Sequence, residues 1–211
     1  MHTLRRIIAT LLLAASFAAA ADWGALQPEG FVNDFAKVLS PKARDGLERY
    51  CREIQRSTGA QIALVTIPSL DGEPIEDVAN YLFRHWKVGD AKTNEGVLVL
   101  LAITDRRSRV EVGYGLEPAL TDGFVGSVLR SMRAPLRSGN YDMAMAEAAM
   151  ALGQAIGKAK GVTASGPAPI QGRRETPDPF PWPAALGALG VFALIFFTGR
   201  GRQGGGRGYG G

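Results

Sequence analysis

The chain is poor in the residues that build disulfides and thiolate or histidine metal centres, since its 211 residues include one cysteine and two histidines. A single cysteine, Cys51, excludes an intramolecular disulfide and a zinc site made of several thiolates. No serine lies in a hydrolase nucleophile motif, and no glycine-rich phosphate loop with its lysine precedes a helix. The sequence therefore identifies no catalytic residue. Because Cys51 falls beside Leu47 and Ile54 on the apolar side of a predicted helix, we expect a buried, unreactive thiol.

A basic patch on the folded part of the chain is also lacking. The formal net charge is +4, but acidic and basic side chains nearly balance between Asp22 and Lys160. The positive excess lies near the two ends, beside apolar stretches. A nucleic-acid-binding domain would carry a basic stripe on its own surface, so this class of partner is excluded. Basic ends that flank apolar runs indicate membrane topology instead.

Residues 1–21 have the three parts of a secretory signal peptide. Arg5 and Arg6 form the positive region, 7–17 is an apolar run, and alanines at 18–21 offer small residues for cleavage. The run is short and ends in alanines, which favours a cleaved signal over an anchor. We therefore expect the rest of the chain to be exported.

The carboxyl-terminal part predicts a tether. Residues 162–183 are rich in proline, which predicts an extended linker. Residues 184–198 carry no charge and predict one transmembrane helix near the lower limit of spanning length, with Trp182 as an interfacial anchor. The tail, 199–211, is rich in glycine and arginine, which places it in the cytoplasm. The expected protein is single-pass in the inner membrane, with its domain facing the periplasm or the cell exterior.

Residues 22–161 alternate between helical and strand patterns. Apolar residues recur at helical spacing after each expected cap, which predicts helices. Continuous or alternating apolar runs predict the strands. A strand, a helix and a further strand in that order imply a right-handed parallel crossover. The prediction is an α/β/α sandwich, with a small mixed β-sheet and helices on both faces. The predicted elements are helices beginning at Ser40, Pro74, Thr121 and Asn140, the second ending at Gly89 and the last near Lys160, and strands over 61–67, 96–103 and 109–112.

Four stretches of this region resemble the TPM domain family between Phe31 and about Gly161. The resemblance implies an α/β/α sandwich, a bound divalent cation in some members and a phosphatase activity in some plant members. The order of signal peptide, domain, membrane helix and glycine-rich tail resembles that of bacterial membrane-anchored members. The stretches are 32–40 (VNDFAKVLS), 58–62 (TGAQI), 94–100 (NEGVLVL) and 112–122 (VGYGLEPALTD), of which the last is the most specific.

Five carboxylates are candidate metal ligands. Glu117 and Asp122 follow the glycine-rich bend. The hairpin before the bend returns Glu95 to the same end of the sheet. Ca²⁺, or alternatively Mg²⁺, prefers such oxygen ligands. Asp34 is carried over from the family motif, and Asp105 lies in the hairpin turn at the far end. Simpler interpretations stay open, namely a solvated loop for Glu117, helix-dipole compensation for Asp122 and an Asx turn for Asp34.

Two functions fit these expectations. The first is a divalent-cation-binding accessory or interaction module for envelope or membrane proteins. The alternative is a metal-dependent acid phosphatase of low specificity, with Arg106 or Arg109 binding phosphate. The absence of a nucleophile or acid–base motif favours the first, and whether the protein is an enzyme stays open.

Overall fold

The computed structural model describes residues 22–162. The predicted signal peptide, the linker beyond Val162, the predicted membrane helix and the tail lie outside the described residues. Among the helices of residues 22–162, none has the length and apolar character needed to cross a bilayer.

Four strands form one small mixed sheet; the mixed sheet was predicted, but only three of its strands were. They are β1 (Val32–Asp34), β2 (Gln61–Ile67), β3 (Gly96–Ala102) and β4 (Arg107–Val112), and they lie side by side in chain order. The pairs β1–β2 and β2–β3 are parallel, whereas β3–β4 is an antiparallel hairpin. We call the side where β2 and β3 begin the amino edge, and the side where they end the carboxyl edge.

The helices begin where the sequence predicts caps. Ser40, Thr121 and Asn140 each accept a backbone hydrogen bond from the residue three positions on, at 3.2, 3.4 and 3.0 Å. Gly59 ends the first helix in the left-handed conformation, with φ of 79°. The helices are α1 (Pro41–Thr58), α2 (Ile75–His85), α3 (Asp122–Ser131), α4 (Arg133–Arg137) and α5 (Tyr141–Ala159), with 3-10 turns at Trp23–Ala25 and Tyr114–Leu116.

The sheet is covered on both faces, as the continuous apolar runs of β2 and β3 predict. Alternate residues such as Leu64 and Val99 pack with α1, α3 and α5. Their neighbours, such as Val65 and Leu98, pack with α2. Cys51 is fully buried in the first of these cores, which confirms the sequence prediction.

The structure adds one strand that was not predicted, and its layers give two crossovers of opposite hand. The first strand, β1, was not predicted, because three residues are too few to show a period. Helices α1 and α2 lie on opposite faces although β1, β2 and β3 follow one another in one direction. The two parallel crossovers therefore differ in hand, and the right-handed rule holds for only one of them.

Two boundaries also differ from the prediction, and one short helix is additional. Helix α2 ends at His85 rather than at Gly89, and β4 begins at Arg107 rather than at Arg109. The predicted third helix corresponds to α3, and a separate short helix that was not predicted, α4, follows it after a division at Met132. Pro135 accounts for this division, because it has no N–H with which to continue the hydrogen bonds of α3.

Candidate functional site

The five predicted metal ligands do not converge on one point. Glu95 precedes β3 at the amino edge, where the chain leaves β4 towards Glu117. At the carboxyl edge, Asp34 is the last residue of β1, and Asp105 follows β3. Strand β4 separates the two edges and is about 20 Å long. Within residues 22–162, no three acidic, histidine or cysteine side chains are grouped closely enough to hold a metal ion by themselves.

At the amino edge, the glycine-rich bend is a short 3-10 turn that packs directly on the loop before β3. The N–H of Gly113 donates to the Gly96 carbonyl at 2.8 Å, and the N–H of Gly115 donates to the Asn94 carbonyl at 3.2 Å. A Cβ on Gly113 would lie 2.2 Å from the Asn94 oxygen, and a Cβ on Gly115 would lie 2.1 Å from the Thr93 oxygen. Only glycine allows this approach, so the backbone of the bend is held in one position.

We call residues 113–117 the Tyr114 turn. Leu116 and, beyond the turn, Leu120 are buried and anchor it to the core, whereas the Tyr114 side chain is 78% exposed. Glu117 and Asp122 are exposed as well, and their carboxylates make no hydrogen bond or ion pair within the described part of the chain. The turn therefore presents an aromatic ring and the Glu117 carboxylate on a fixed support, and the Asp122 carboxylate follows at the start of α3.

Glu95 differs from these two carboxylates because it already has a cation as partner. Its carboxylate pairs with Lys160, which lies just beyond α5, and the Glu95 side chain is largely buried. The Glu95 side chain also lies against Gly115, where an added Cβ would be 2.8 Å from its Cγ. This contact brings the end of α5 to the Tyr114 turn, so the chain leaves the domain beside it.

At the carboxyl edge, Asp34 is engaged by its own loop. Its carboxylate accepts hydrogen bonds from the N–H groups of Val38 at 3.1 Å and Leu39 at 3.0 Å, and from the Thr66 hydroxyl. Asp105 accepts a hydrogen bond from the Leu70 N–H at 2.8 Å. Both side chains therefore fix loops after β1 and β2, which is the simpler role that the sequence left open for Asp34.

The residues considered for phosphate binding lie apart from Glu117 and Asp122. Arg109 bonds Glu111 at 3.2 Å, while Arg106 is exposed in the hairpin turn at the carboxyl edge. His85 is exposed and stacks on Tyr81, with ring centroids 5.3 Å apart. Glu117 and Arg106 thus lie beyond opposite ends of β4.

Sequence reasoning missed three polar side chains that organise this architecture. Glu48 on α1 accepts hydrogen bonds from the N–H groups of Phe31 and Val32. Asn33 is buried and bonds the preceding loop through both amide atoms. Asp142 at the start of α5 accepts bonds from Ser40. No local motif marks Glu48 or Asp142, since their partners are remote in sequence.

The described residues thus define a small α/β/α sandwich that presents a rigid glycine–tyrosine–glycine turn at one edge of its sheet. The family model described as "TPM domain" matches residues 32–155, and the chain belongs to this family. The resemblance in sequence is thereby confirmed. None of the curated proteins matches the chain.

Two of the solved structures that the chain matches, the first two described here, share its fold. The N-terminal domain of a P. gingivalis protein is 34% identical, with a TM-score of 0.58, and the match covers 63% of this chain and 85% of that one. The BA42 protein of Bizionia argentinensis is 18% identical, with a TM-score of 0.51 over 57% of this chain and 82% of that one. The N-terminal domain of a Corynebacterium glutamicum protein is 17% identical, with a TM-score of 0.48 over 68% and 89%.

Proposed function

We propose that this TPM domain is a divalent-cation-binding interaction module, tethered at the outer face of the cytoplasmic membrane, whose binding face is the Tyr114 turn with Glu117 and Asp122. One observation carries the proposal: the Tyr114 side chain is 78% exposed on a turn whose backbone is locked by glycine contacts. Tyrosines on rigid supports are favoured at protein interfaces, because they offer a large contact area at small cost in conformational entropy.

The path of the chain supports a partner at the membrane. The pair between Lys160 and Glu95 holds the end of α5 beside the Tyr114 turn. The predicted linker, which begins at 162, leaves the domain at this edge. A tether that starts next to the binding face keeps that face within reach of membrane proteins, and it raises their effective concentration.

An apolar groove extends the proposed face. It lies between the start of α3 and the second half of α5, and its volume is about 590 Å³. Ala119, which lines it, is two residues beyond Glu117, so the groove and the turn adjoin along the chain. A partner with an apolar segment for the groove and a basic group for the carboxylates fits this surface best. The groove is lined by Ala119, Phe124, Ala151, Gln154, Ala155, Lys158 and Ala159.

The cation half of the proposal rests on Glu117 and Asp122. Both carboxylates are exposed and without partners in residues 22–162. Ca²⁺ takes six to eight oxygen ligands, so two carboxylates supply only part of its shell. Backbone carbonyls, water or a partner's oxygens must supply the rest, which predicts a site that binds the ion more tightly when the partner is present.

Thermal unfolding of the full chain in EDTA, Ca²⁺ or Mg²⁺ tests the cation half. An ion that binds the folded state raises the midpoint by mass action. We expect a rise with Ca²⁺ that is lost in Glu117→Gln and Asp122→Asn. The matched control is Asp77→Asn, because Asp77 occupies the first turn of α2 as Asp122 occupies that of α3. An unchanged midpoint at millimolar Ca²⁺ contradicts the proposal.

Photo-crosslinking in cells tests the partner half. A photoreactive phenylalanine analogue at Tyr114 is expected to trap a membrane or envelope protein. The same group at Tyr81 is the control, since Tyr81 is 43% exposed on α2, away from the turn. Capture from position 81 alone, or from neither position, rules out the Tyr114 turn as the binding face.

Metal-dependent phosphatase activity is the second candidate, and the carboxyl edge favours it. The connections after β1 and β2 pass to opposite faces, and α/β sheets bind ligands at the carboxyl ends of strands where this happens. Asp34, Asp105 and Arg106 lie at this edge, and the matching family model carries the name TPM_phosphatase. Turnover of a phosphomonoester with Mg²⁺ or Ca²⁺ that falls in Arg106→Gln supports it. If turnover is unchanged in Arg106→Gln, or if no turnover is detected, phosphatase activity is excluded.

A further inference from the structure

Strand β4 is an edge strand whose outer backbone groups are unused. The N–H of Ile103 donates to Ile67 in β2 at 3.1 Å, and the N–H of Gly113 donates to Gly96 at 2.8 Å. Along β3, odd-numbered residues therefore bond β2 and even-numbered residues bond β4. Their β4 partners are Arg107, Arg109 and Glu111, so the N–H and C=O groups of Ser108, Val110 and Val112 point away from the sheet. Within residues 22–162, these outer groups have no hydrogen-bond partner.

The opposite edge of the sheet is protected, and β4 is not. Strand β1 has three residues, and Glu48 accepts hydrogen bonds from the N–H groups of Phe31 at 2.9 Å and Val32 at 3.0 Å. Strand β4 has six residues, contains neither proline nor glycine, and keeps an unbroken register with β3. Proteins usually blunt an exposed edge with short strands, charged side chains, prolines or bulges. Of these devices β4 carries only charged side chains, at Arg107, Arg109 and Glu111, and its backbone is open to an added strand whose charges complement them.

We propose that β4 pairs antiparallel with β4 of a second copy of this chain, about a two-fold axis at Val110. In this register, Val110 faces Val110 of the second copy, and Ser108 faces its Val112. Each of these pairs exchanges backbone hydrogen bonds through the outward groups. The two sheets become one continuous sheet, and α2 of each copy lies on the same face.

Charge complementarity favours a second copy of this chain as the partner that pairs with β4. Between the bonded pairs, Arg109 of one copy faces Glu111 of the other, and the symmetry repeats this pair. Such directly opposed side chains come close together and favour unlike charge. The Glu111 carboxylate is already positioned, because it accepts hydrogen bonds from Asn80 and Arg109, both at 3.2 Å. The interface thus holds four charges of alternating sign.

The same charges exclude the neighbouring registers. A shift in one direction places Arg109 opposite Arg109 of the second copy. A shift in the other direction places Glu111 opposite Glu111. Like charges directly opposite each other destabilise strand pairs. The shift that opposes the two Arg109 side chains also opposes Arg107 with Glu111, so it combines like and unlike pairs. Only the register centred on Val110 opposes unlike charges without a like pair, and it also uses all the outward backbone groups from Ser108 to Val112.

The molar mass of the full chain in mild detergent, measured by light scattering over a dilution series, tests the proposal. Wild type is expected to be dimeric, and Arg109→Glu and Glu111→Arg are each expected to weaken dimerisation about tenfold or more. An equimolar mixture of the two variants should restore the dimer, because one presents only acidic and the other only basic groups. A folding defect would not be rescued by mixing. A monomeric wild type, or dimers that the variants leave unchanged, overturns the proposal.

Disulfide trapping tests the register itself. In a mixture of Arg109→Cys and Glu111→Cys chains, the new thiols lie directly opposite each other, while the remaining Glu111 and Arg109 still pair. Within either variant alone, the cysteines are diagonal neighbours about 7–8 Å apart, beyond easy disulfide reach. Cys51 is fully buried and does not compete. We expect a linked dimer from the mixture only. Equal linkage in the separate variants, or none in the mixture, contradicts this register.

Discussion

Asp142 in the first turn of α5 accepts two hydrogen bonds from Ser40, the residue that caps α1. The Ser40 N–H donates at 2.9 Å and the Ser40 hydroxyl at 2.6 Å. The same hydroxyl accepts from the Ala43 N–H at 3.2 Å. One carboxylate thus joins the amino-terminal ends of two long helices, where negative charge is favourable for both.

Replacement of Asp142 by alanine is expected to lower the free energy of unfolding by about 2 kcal/mol, because it removes two hydrogen bonds to a charged acceptor and a favourable dipole contact. Urea denaturation at pH 7 measures the change. Asp77→Ala is the control, since Asp77 is also in the first turn of a helix but is exposed. Asp77→Ala should lower the free energy of unfolding by about 0.5 kcal/mol. Equal costs for the two variants would show that the Ser40 contact contributes nothing.

Gly115→Ala is expected to destabilise the domain by about 3 kcal/mol, because the new methyl group would lie 2.1 Å from the Thr93 carbonyl oxygen and the turn would have to shift. Thermal or urea unfolding measures the loss. Gly123→Ala is the matched control, as nothing lies within 4 Å of an added Cβ there and the residue is in α3. It should stabilise by about 0.5–1 kcal/mol. A neutral Gly115→Ala would mean that the Tyr114 turn is not rigid.

Local signals predicted much of the fold. Ser40, Thr121 and Asn140 were identified as caps because their residue type and the apolar spacing after them occur within a few positions. The buried strands β2 and β3 were recognised as continuous apolar runs. The predictions failed where an element depends on contacts with residues remote in sequence. Strand β1 is an example, because it is a strand through its pairing with β2 rather than through its own three residues.

The candidate site was predictable to the same extent. The glycine-rich bend and the two exposed carboxylates after it were found from sequence, because the bend needs glycine where two backbones touch. For Asp34 the sequence left two positions open. The direction of the first helix placed it near Asp105, at the far end of the sheet from Glu117, but six extended residues before Ser40 were long enough to reach across. In the structure, Asp34 and Glu117 belong to opposite edges of the sheet.

Asp34→Asn is expected to lower the free energy of unfolding by about 2 kcal/mol, because an amide nitrogen would replace one acceptor of the N–H groups of Val38 and Leu39 or of the Thr66 hydroxyl. Asp71→Asn, in an exposed loop, should change it by less than about 0.5 kcal/mol. Denaturation with and without Ca²⁺ separates structure from ligation. Loss of a Ca²⁺ effect without loss of stability would instead assign Asp34 to the metal.

Stability is expected to fall at alkaline pH through Cys51 and Tyr50. Burial, with a smaller contribution from Glu48, raises the pKa of the Cys51 thiol well above its ordinary 9.0. Burial, and then the neighbouring Cys51, raises the pKa of Tyr50 from 10.0 to about 12. Above pH 9 the unfolded chain releases the Cys51 proton while the folded chain keeps it, so the free energy of unfolding decreases as pH rises.

The expected slope between pH 9 and pH 10 is at most about 1.4 kcal/mol per pH unit for Cys51 alone. Urea denaturation across this range measures it, with Cys51→Ala as the control. That variant is less stable at neutral pH, because it leaves a cavity in the core, but its stability should change less between pH 9 and pH 10. An equal decrease in both proteins would show that Cys51 ionises as readily in the folded state as in the unfolded one, which its complete burial argues against.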